Sequence, residues 1–457
     1  MLEGIHRIHV IGIGGAGMRA IAQILVSQGY EVTGSDVHDS AAIERFRQQG
    51  VTVYLKQEAK NVANAEVVVR STAIHDDNPE IVEAKRLGLP ILHRSDIVKN
   101  VLDMTKGIAV AGAHGKTTTT SMIGQILVEA DMDPSVIIGG EVDYLNGSSQ
   151  WGHGEYSVAE ADESDGSFLK LNPYRVLITN IENDHMDHYG TIENLWNAFK
   201  EFICKLPKDG VAVVCGDNTA LQQIMPDVDR TFITYGSSSA NDYWYDDLHY
   251  EEGKLHFTVM KGQKNLGQVV LQVPGKHNVL NALGAFAMTY ELGVPVEAII
   301  GALGKFKGAK RRFETKGHVK GVWVVDDYAH HPTEIAATLR AAKSMGTHRV
   351  VCLFQPHRYT RTSLLLKQYQ HAFDAADVLM MTDIYAAGEE PIQGITGRSI
   401  PDAVEATGKK VIYVADINDA PAKLKELVQS GDLVLTMGAG TVNQYGPKLV
   451  SLLEDEK

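Results

Sequence analysis

Two short apolar runs, each ending in a glycine-rich turn that opens onto a helical pattern, constrain this chain more than anything else in it. The first is "HVIGIGGAGM" at residues 9–18 and the second is "GIAVAGAHGKTTTT" at 107–120. A strand that turns straight into a helix through glycines opens a parallel α/β unit. Glycine lets the backbone turn tightly and approach a ligand closely, and the helix start offers unpaired N–H groups with a partial positive charge. Two such turns far apart in the chain call for two separate α/β layers, each with an anion-binding corner.

The corners differ in what they can bind. Gly12, Gly14 and Gly17 have the dinucleotide spacing, and Asp36 lies close to where a ribose-binding acid is expected, so an NAD-dependent oxidoreductase is one reading. The same spacing serves many nucleotide diphosphates, and Asp36 reads equally well as a turn cap. At the second corner, Gly112 and Gly115 give backbone N–H groups room to cradle phosphates, Lys116 can reach the terminal ones, and Thr117, followed by Thr118, can offer a hydroxyl to magnesium. Val110 stands where the full Walker spacing has glycine. Downstream, "VAEADESD" puts Glu160 and Asp162 at a strand terminus and "TNIENDHMDHYG" puts His185 after another. Oxygen ligands plus an imidazole near a triphosphate suit Mg2+ or Mn2+. An oxidoreductase leaves this second constellation without a role.

At 457 residues the chain is too long for one ordinary core and fits roughly three domains of about 150 residues. The formal net charge of −14 argues against bulk attraction to nucleic acid or an anionic membrane, so phosphates must be held by local devices. Cys204, Cys215 and Cys352 show no CxxC spacing, which argues against a zinc knuckle or a disulfide framework. The start "MLEGIHRIHV" has no basic leader, and no run approaches the roughly 18 apolar residues of a membrane span. A cytoplasmic protein without membrane insertion is the expectation.

Strands and helices alternate through "RIHVIGI", "YEVTGSD", "AEVVVRS" and "PILHRS", with a first boundary near Met104. A second α/β unit runs through "YSVAEAD", "YRVLITN" and "GVAVVCGD", turns to short strands between about 230 and 275, and enters a helix near "HNVLNALGAFAMTYELG". From "GVWVVDDY" onward, past a second boundary near Arg312, "RVVCLFQ", "DVLMMTD", "KVIYVAD" and "DLVLTMG" read as the strands of a third α/β domain.

The motifs "GIGGAGM", "GAHGKTTTT", "EADESDGSF", "TNIENDHMDHYG", "GKHNVLNA", "DDYAHHPTE", "FQPHRYTRT", "DIYAAGE" and "MGAGTV" occur in that order across nearly the whole chain. In this the chain resembles the Mur ligases of peptidoglycan synthesis. The resemblance implies a three-domain α/β protein: a Rossmann-like UDP-sugar domain over 1–104, a P-loop-type ATP domain over 105–312, and a Rossmann-like domain over 313–457 that receives the amino acid and completes the ATP site. Gly12, Gly14 and Gly17 would then hold a UDP diphosphate, with Asp36 and the "STAI" loop from Ser71 near the uridine or sugar. Lys116 would contact the ATP phosphates, Thr117, Glu160 and His185 would surround the metals, and His114 would sit beside the reacting phosphate. Asn278 and Asn281, three apart on one helical face, would serve the adenine, a polar helix cap being the plain alternative.

Arg312, Asp326 or Asp327, and His331 would complete the ATP site. Tyr328, His330, Arg358 and Arg361 would line an L-alanine site, the two arginines one turn apart if their segment is helical. The chain departs from the family pattern at Ala113, where threonine is expected, and at Ala329, where glycine is expected. The implied reaction joins L-alanine to UDP-N-acetylmuramate at the expense of ATP, by a monomer or a homodimer. A recycling ligase that adds a ready-made tripeptide to the same sugar nucleotide, and a nucleotide-binding regulator without turnover, are the alternatives beside the oxidoreductase.

Overall fold

A computed structural model describes residues 2–251, 253–346 and 349–455. The chain is a three-domain α/β protein with three sheets, spanning 7–93, 106–271 and 314–437, and it divides into two compact units. The first unit comprises Met1–Leu248, Phe257–Val270 and Leu280–Phe306. The second comprises His249–His256, Leu271–Val279 and Lys307–Lys457.

In the first unit, the leading sheet has five parallel strands in the order Thr52–Tyr54, Glu31–Ser35, Arg7–Ile11, Val67–Arg70, Ile91–His93. The order reverses beside Arg7–Ile11, and that strand carries the first glycine loop at its carboxyl end, where open α/β sheets bind ligands. The helix Ala16–Ser27 follows and buries Met18, Ile21, Ile24 and Leu25 against the sheet. The same domain holds a buried polar cluster. Glu80, fully buried, accepts from Ser35 Oγ and Asn61 Nδ2, both at 2.6 Å, and its carboxylate lies 3.4 Å from His9 Nε2.

The second sheet has ten strands, with Lys106–Ala111 between Arg175–Ile178 and Tyr156–Glu160, all three parallel. The three strands that bear the second loop and its acidic partners are thus neighbours. One edge is formed by Tyr243–Glu251, Lys254–Lys261 and Lys264–Leu271; where short strands were expected, the chain makes strands of 9, 8 and 8 residues, joined by polar turns. The helix Lys116–Glu129 is buried on all sides from Thr118 to Leu127.

The second unit holds a six-stranded sheet ordered Glu314–Val319, Val322–Asp327, Asp432–Met437, Arg349–Phe354, Val378–Met381, Ile412–Tyr413. Only the first pair is antiparallel. The strand Glu314–Val319 was not anticipated: its "ETKGHV" is partly exposed throughout and has no apolar alternation to announce it. Among the described residues no helix is long and apolar enough to cross a membrane.

Candidate active site

At the first loop, Gly12 takes φ +72°, and the Gly14 N–H donates to Asp36 Oδ2 at 2.9 Å. Asp36 Oδ1 accepts from the N–H groups of Val37 and His38 at 2.8 and 3.1 Å. Of the two readings of Asp36, the turn cap is the one this geometry displays. A Cβ on Gly14 would lie 2.9 Å from that carboxylate, and one on Gly17 would lie 2.9 Å from Arg94 Nη1. Ser71 follows the strand Val67–Arg70, and its carbonyl accepts from Ile74. Beside it Thr72 Oγ1 donates to Asp165 and bonds His93 Nε2 at 3.0 Å.

The second loop is tightly enclosed. Gly112 has φ +129° and Gly115 φ +86°, a region that strains any other residue. Their missing side chains make room for neighbours. A Cβ on Gly112 would lie 2.2 Å from Thr179 Oγ1, and one on Gly115 would lie 2.5 Å from Asn281 Oδ1. His114 between them is held by its backbone: its N–H donates to Asn180 Oδ1 at 3.0 Å and its carbonyl accepts from Thr179 and Asn180. Its ring lies 3.3 Å from Glu182. Ala113 donates its N–H to the Asn180 carbonyl, so the loop closes without the expected threonine.

Lys116 begins the helix, and its ammonium turns back onto the Gly112 carbonyl and Glu163 Oε1, the latter at 2.7 Å. Thr117 Oγ1 donates to Glu160 Oε2 at 3.2 Å, while Glu160 Oε1 accepts from Gly139. Thr118 is buried within the helix. His185, at φ +58°, places Nε2 3.7 Å from Glu163 Oε1. Of the expected metal set, Thr117 and Glu160 meet, whereas the described contacts of the His185 ring are with Glu163 and Asp184. Glu163 was not singled out from the sequence, yet it is the buried anion between Lys116 and His185, and its Oε2 has no hydrogen-bond partner among the described residues.

Burial would pull the Lys116 ammonium down, but Glu163, Asp162 and Glu160 together outweigh it and raise its pKa. Burial pushes the Glu163 carboxyl up against the pull of Lys116. Asp162 goes the other way: burial is overcome by Arg94, Lys116 and Ser164, which hold it well below the usual carboxylate range. Arg94 makes the ion pair with Asp162 and lies against Gly17, so one guanidinium touches both loops' surroundings. Lys200, fifteen residues after His185, pairs with Asp227 in the ordinary way of surface ions. Asn278 and Asn281 share the helix Lys276–Tyr290, and both are buried. Asn278 Nδ2 donates to the Pro274 carbonyl, tying down the helix start.

In the second unit, Asp326 and Asp327 end the strand Val322–Asp327. Asp326 accepts from Thr436 Oγ1 at 2.7 Å and pairs with Arg311 Nε at 3.1 Å. Burial raises the Asp326 carboxyl against that pairing and pushes Asp327, which accepts from the N–H groups of Phe313 and Ala329, up to about 6. Arg312 packs over the Tyr328 ring at 5.3 Å and lies 3.7 Å from Glu334. His331 caps the helix Pro332–Ser344, with Glu334 completing a capping box.

His330 bonds the Tyr328 carbonyl through Nδ1, and its ring lies 6.1 Å from that of His357, which in turn stacks on Tyr385. Burial lowers His330 to about 4 and His357 to about 3. Arg361 bonds His357 Nδ1 at 3.0 Å. Arg358 lies outside the helix Tyr359–Tyr369, at φ +70°, so the two arginines are not stacked as successive helical residues would be.

This fold, with a glycine loop after the first strand of one sheet and a lysine–threonine loop after a central strand of the next, is that of a family of three-domain ligases. The chain belongs to the Mur ligase family: models described as the Mur ligase family catalytic domain, the Mur ligase middle domain and the Mur ligase glutamate ligase domain match residues 7–105, 110–289 and 311–440. It is 46% identical to the UDP-N-acetylmuramate–L-alanine ligase of Pelotomaculum thermopropionicum, over 98% of each chain, and 46% identical to that of Geotalea daltonii over the full length of both. Among solved structures, the UDP-N-acetylmuramate–alanine ligase MurC of Thermotoga maritima superposes with a TM-score of 0.85 at 29% identity, covering 99% of this chain and 100% of that one. A murein peptide ligase of Psychrobacter arcticus superposes at 0.75 with 25% identity over the same shares.

Proposed function

We propose that this chain joins L-alanine to the lactyl carboxylate of UDP-N-acetylmuramate, releasing ADP and phosphate. The observation that carries this reading is the full-length likeness to L-alanine-adding relatives, at 46% identity over 98% of both chains. ATP is the energy source of the reading, and residues 1–104, 105–312 and 313–457 take the sugar nucleotide, ATP and amino acid in turn. The tripeptide-adding alternative rests on the structural likeness to the murein peptide ligase, which is weaker than that to the alanine ligase.

A carboxylate is a poor electrophile, so its oxygen first takes the γ-phosphoryl group, forming an acyl phosphate. The amine then attacks the carbonyl carbon, and phosphate leaves with the former carboxylate oxygen. Lys116 and the N–H groups at the helix start meet the charge that develops on the transferring oxygens. Gly112 and Gly115 allow that approach because nothing projects from them.

The oxygens of Thr117 and Glu160 and the unpaired Oε2 of Glu163 are hard donors of the kind Mg2+ takes, with the His185 imidazole beside Glu163. Mg2+ held there would neutralise phosphate charge. Arg361 is the carboxylate partner for the amino acid, with Tyr328, His330 and Arg358 around it. Arg312, Asp326, Asp327 and His331 are further nucleotide-binding residues of this reading.

Phosphate release from ATP, followed with UDP-N-acetylmuramate and L-alanine, a tripeptide or no amine, tests the reading directly. Release that requires L-alanine and stops on chelating Mg2+ is the expected result. Release that requires the tripeptide, or nicotinamide reduction in a parallel trace, overturns it.

A further inference from the structure

At the tip of the hairpin formed by Tyr243–Glu251 and Lys254–Lys261 stand three side chains that the ligase reaction does not use. His249 and Glu251 are two residues apart on one strand and so project from the same face, and His256 faces them from the neighbouring strand. One ligand atom from each lies within 4.8 Å of the other two. The imidazole rings are stacked at 5.3 Å with an interplanar angle of 18°, and His256 Nε2 lies 3.8 Å from Glu251 Oε2.

The opposite face of this tip is anchored. Tyr250 OH accepts from the Gly275 N–H at 3.1 Å and bonds Ser344 Oγ at 3.0 Å, which turns its neighbours His249 and Glu251 outward, where both are exposed.

We propose that His249, Glu251 and His256 bind one divalent transition-metal ion of the Zn2+ class, as a surface site that clips the two strands together. Two imidazoles and one carboxylate form the borderline nitrogen–oxygen set such ions favour, whereas Mg2+ takes oxygen ligands and keeps its water. Three protein ligands leave a further position for water or an added ligand. The fixed Tyr250 means that little ordering remains when the ion arrives.

The test is Zn2+ titration of the full, untagged chain by calorimetry in excess Mg2+, on wild type and on His249→Gln, Glu251→Gln and His256→Gln. All these side chains are partly exposed, and thermal midpoints measured without zinc check that each variant is folded. Loss of one zinc equivalent, or weakening of that equivalent by at least about tenfold in each histidine variant and by less in Glu251→Gln, is the expected result. Wild-type stoichiometry and affinity retained in both histidine variants, or no zinc bound by wild type, overturns the proposal.

Discussion

Glu163 shows what a single side chain does at the proposed phosphate site. Lys116 is held by a buried carboxylate of its own chain, Glu163, at 2.7 Å. Any phosphate must displace a partner tethered a few ångströms away. Inorganic phosphate should therefore inhibit the wild-type reaction weakly, and Glu163→Gln should lower its inhibition constant by about tenfold, since one lost charge-assisted hydrogen bond is worth roughly 1.5 kcal/mol. Inhibition measured against ATP checks this, and unchanged inhibition would show that the pair does not guard the site. At the amino-acid end, Arg361→Ala should lower kcat/KM for L-alanine about 30-fold or more, because truncating one side of a desolvated ion pair costs about 2–5 kcal/mol. Alaninamide, already poor with wild type, should lose little further. Equal losses with both amines would move Arg361 out of the carboxylate site. Sequence brought Lys116, Thr117 and Glu160 into view because loop and strand spacing place them. Glu163 stayed hidden because the strand ends at Glu160, and beyond it no pleat tells which of the acids in "EADESD" turns inward. The Arg311–Asp326 pair is hard to read for a like reason: neighbours in an irregular segment point by φ and ψ, and Arg311 takes φ +61°.

Elements were legible where burial is complete. Lys106–Ala111, Arg349–Phe354 and Asp432–Met437 lie deep in their sheets and are almost wholly apolar, so they announce themselves. Edge strands such as Thr52–Tyr54 and Glu314–Val319 mix polar and apolar residues, and only pairing with a neighbour makes them strands. The helix start at Gly115 carries a prediction of its own. Gly115→Ala must either leave φ +86° or press on Asn281, so it should destabilise the protein by about 1–3 kcal/mol and raise the KM for ATP. Urea denaturation with parallel kinetics measures both. The loops around His330 and His357 predict a pH dependence. Both rings have folded pKa values, about 4 and about 3, below the usual 6.5, so the unfolded chain binds more protons as pH falls below 6.5 and stability is lost. Asp327, raised to about 6, works in the opposite sense, its folded form taking up a proton that the unfolded chain does not. Two histidines outweigh one carboxyl, and from pH 7 to pH 5 the net loss should be on the order of 2 kcal/mol. His357→Gln should shrink the loss and Asp327→Asn enlarge it. Denaturation at the two pH values decides, and a wild type equally stable at both contradicts the assignment.

At the scale of the whole molecule, the first sheet and most of the second belong to one compact unit, and one contact near their loops runs through Arg94, which lies against Gly17 and pairs with Asp162. Asp162 also helps hold Lys116 protonated. If the sugar nucleotide's diphosphate binds at the first loop, as proposed above, it would draw on the same guanidinium that pairs with Asp162, and the lysine at the second loop would feel that change of charge. Thermodynamic reciprocity then fixes a relation that no single contact states: whatever factor the sugar nucleotide applies to ATP affinity, ATP applies to the sugar nucleotide. In Arg94→Gln the two ligands should become more nearly independent, with the coupling factor, measured by titrating each in the presence and absence of the other, falling toward one. On the proposed reading, the arginine that bridges Gly17 and Asp162 would then be the term through which two remote equilibria are written as one.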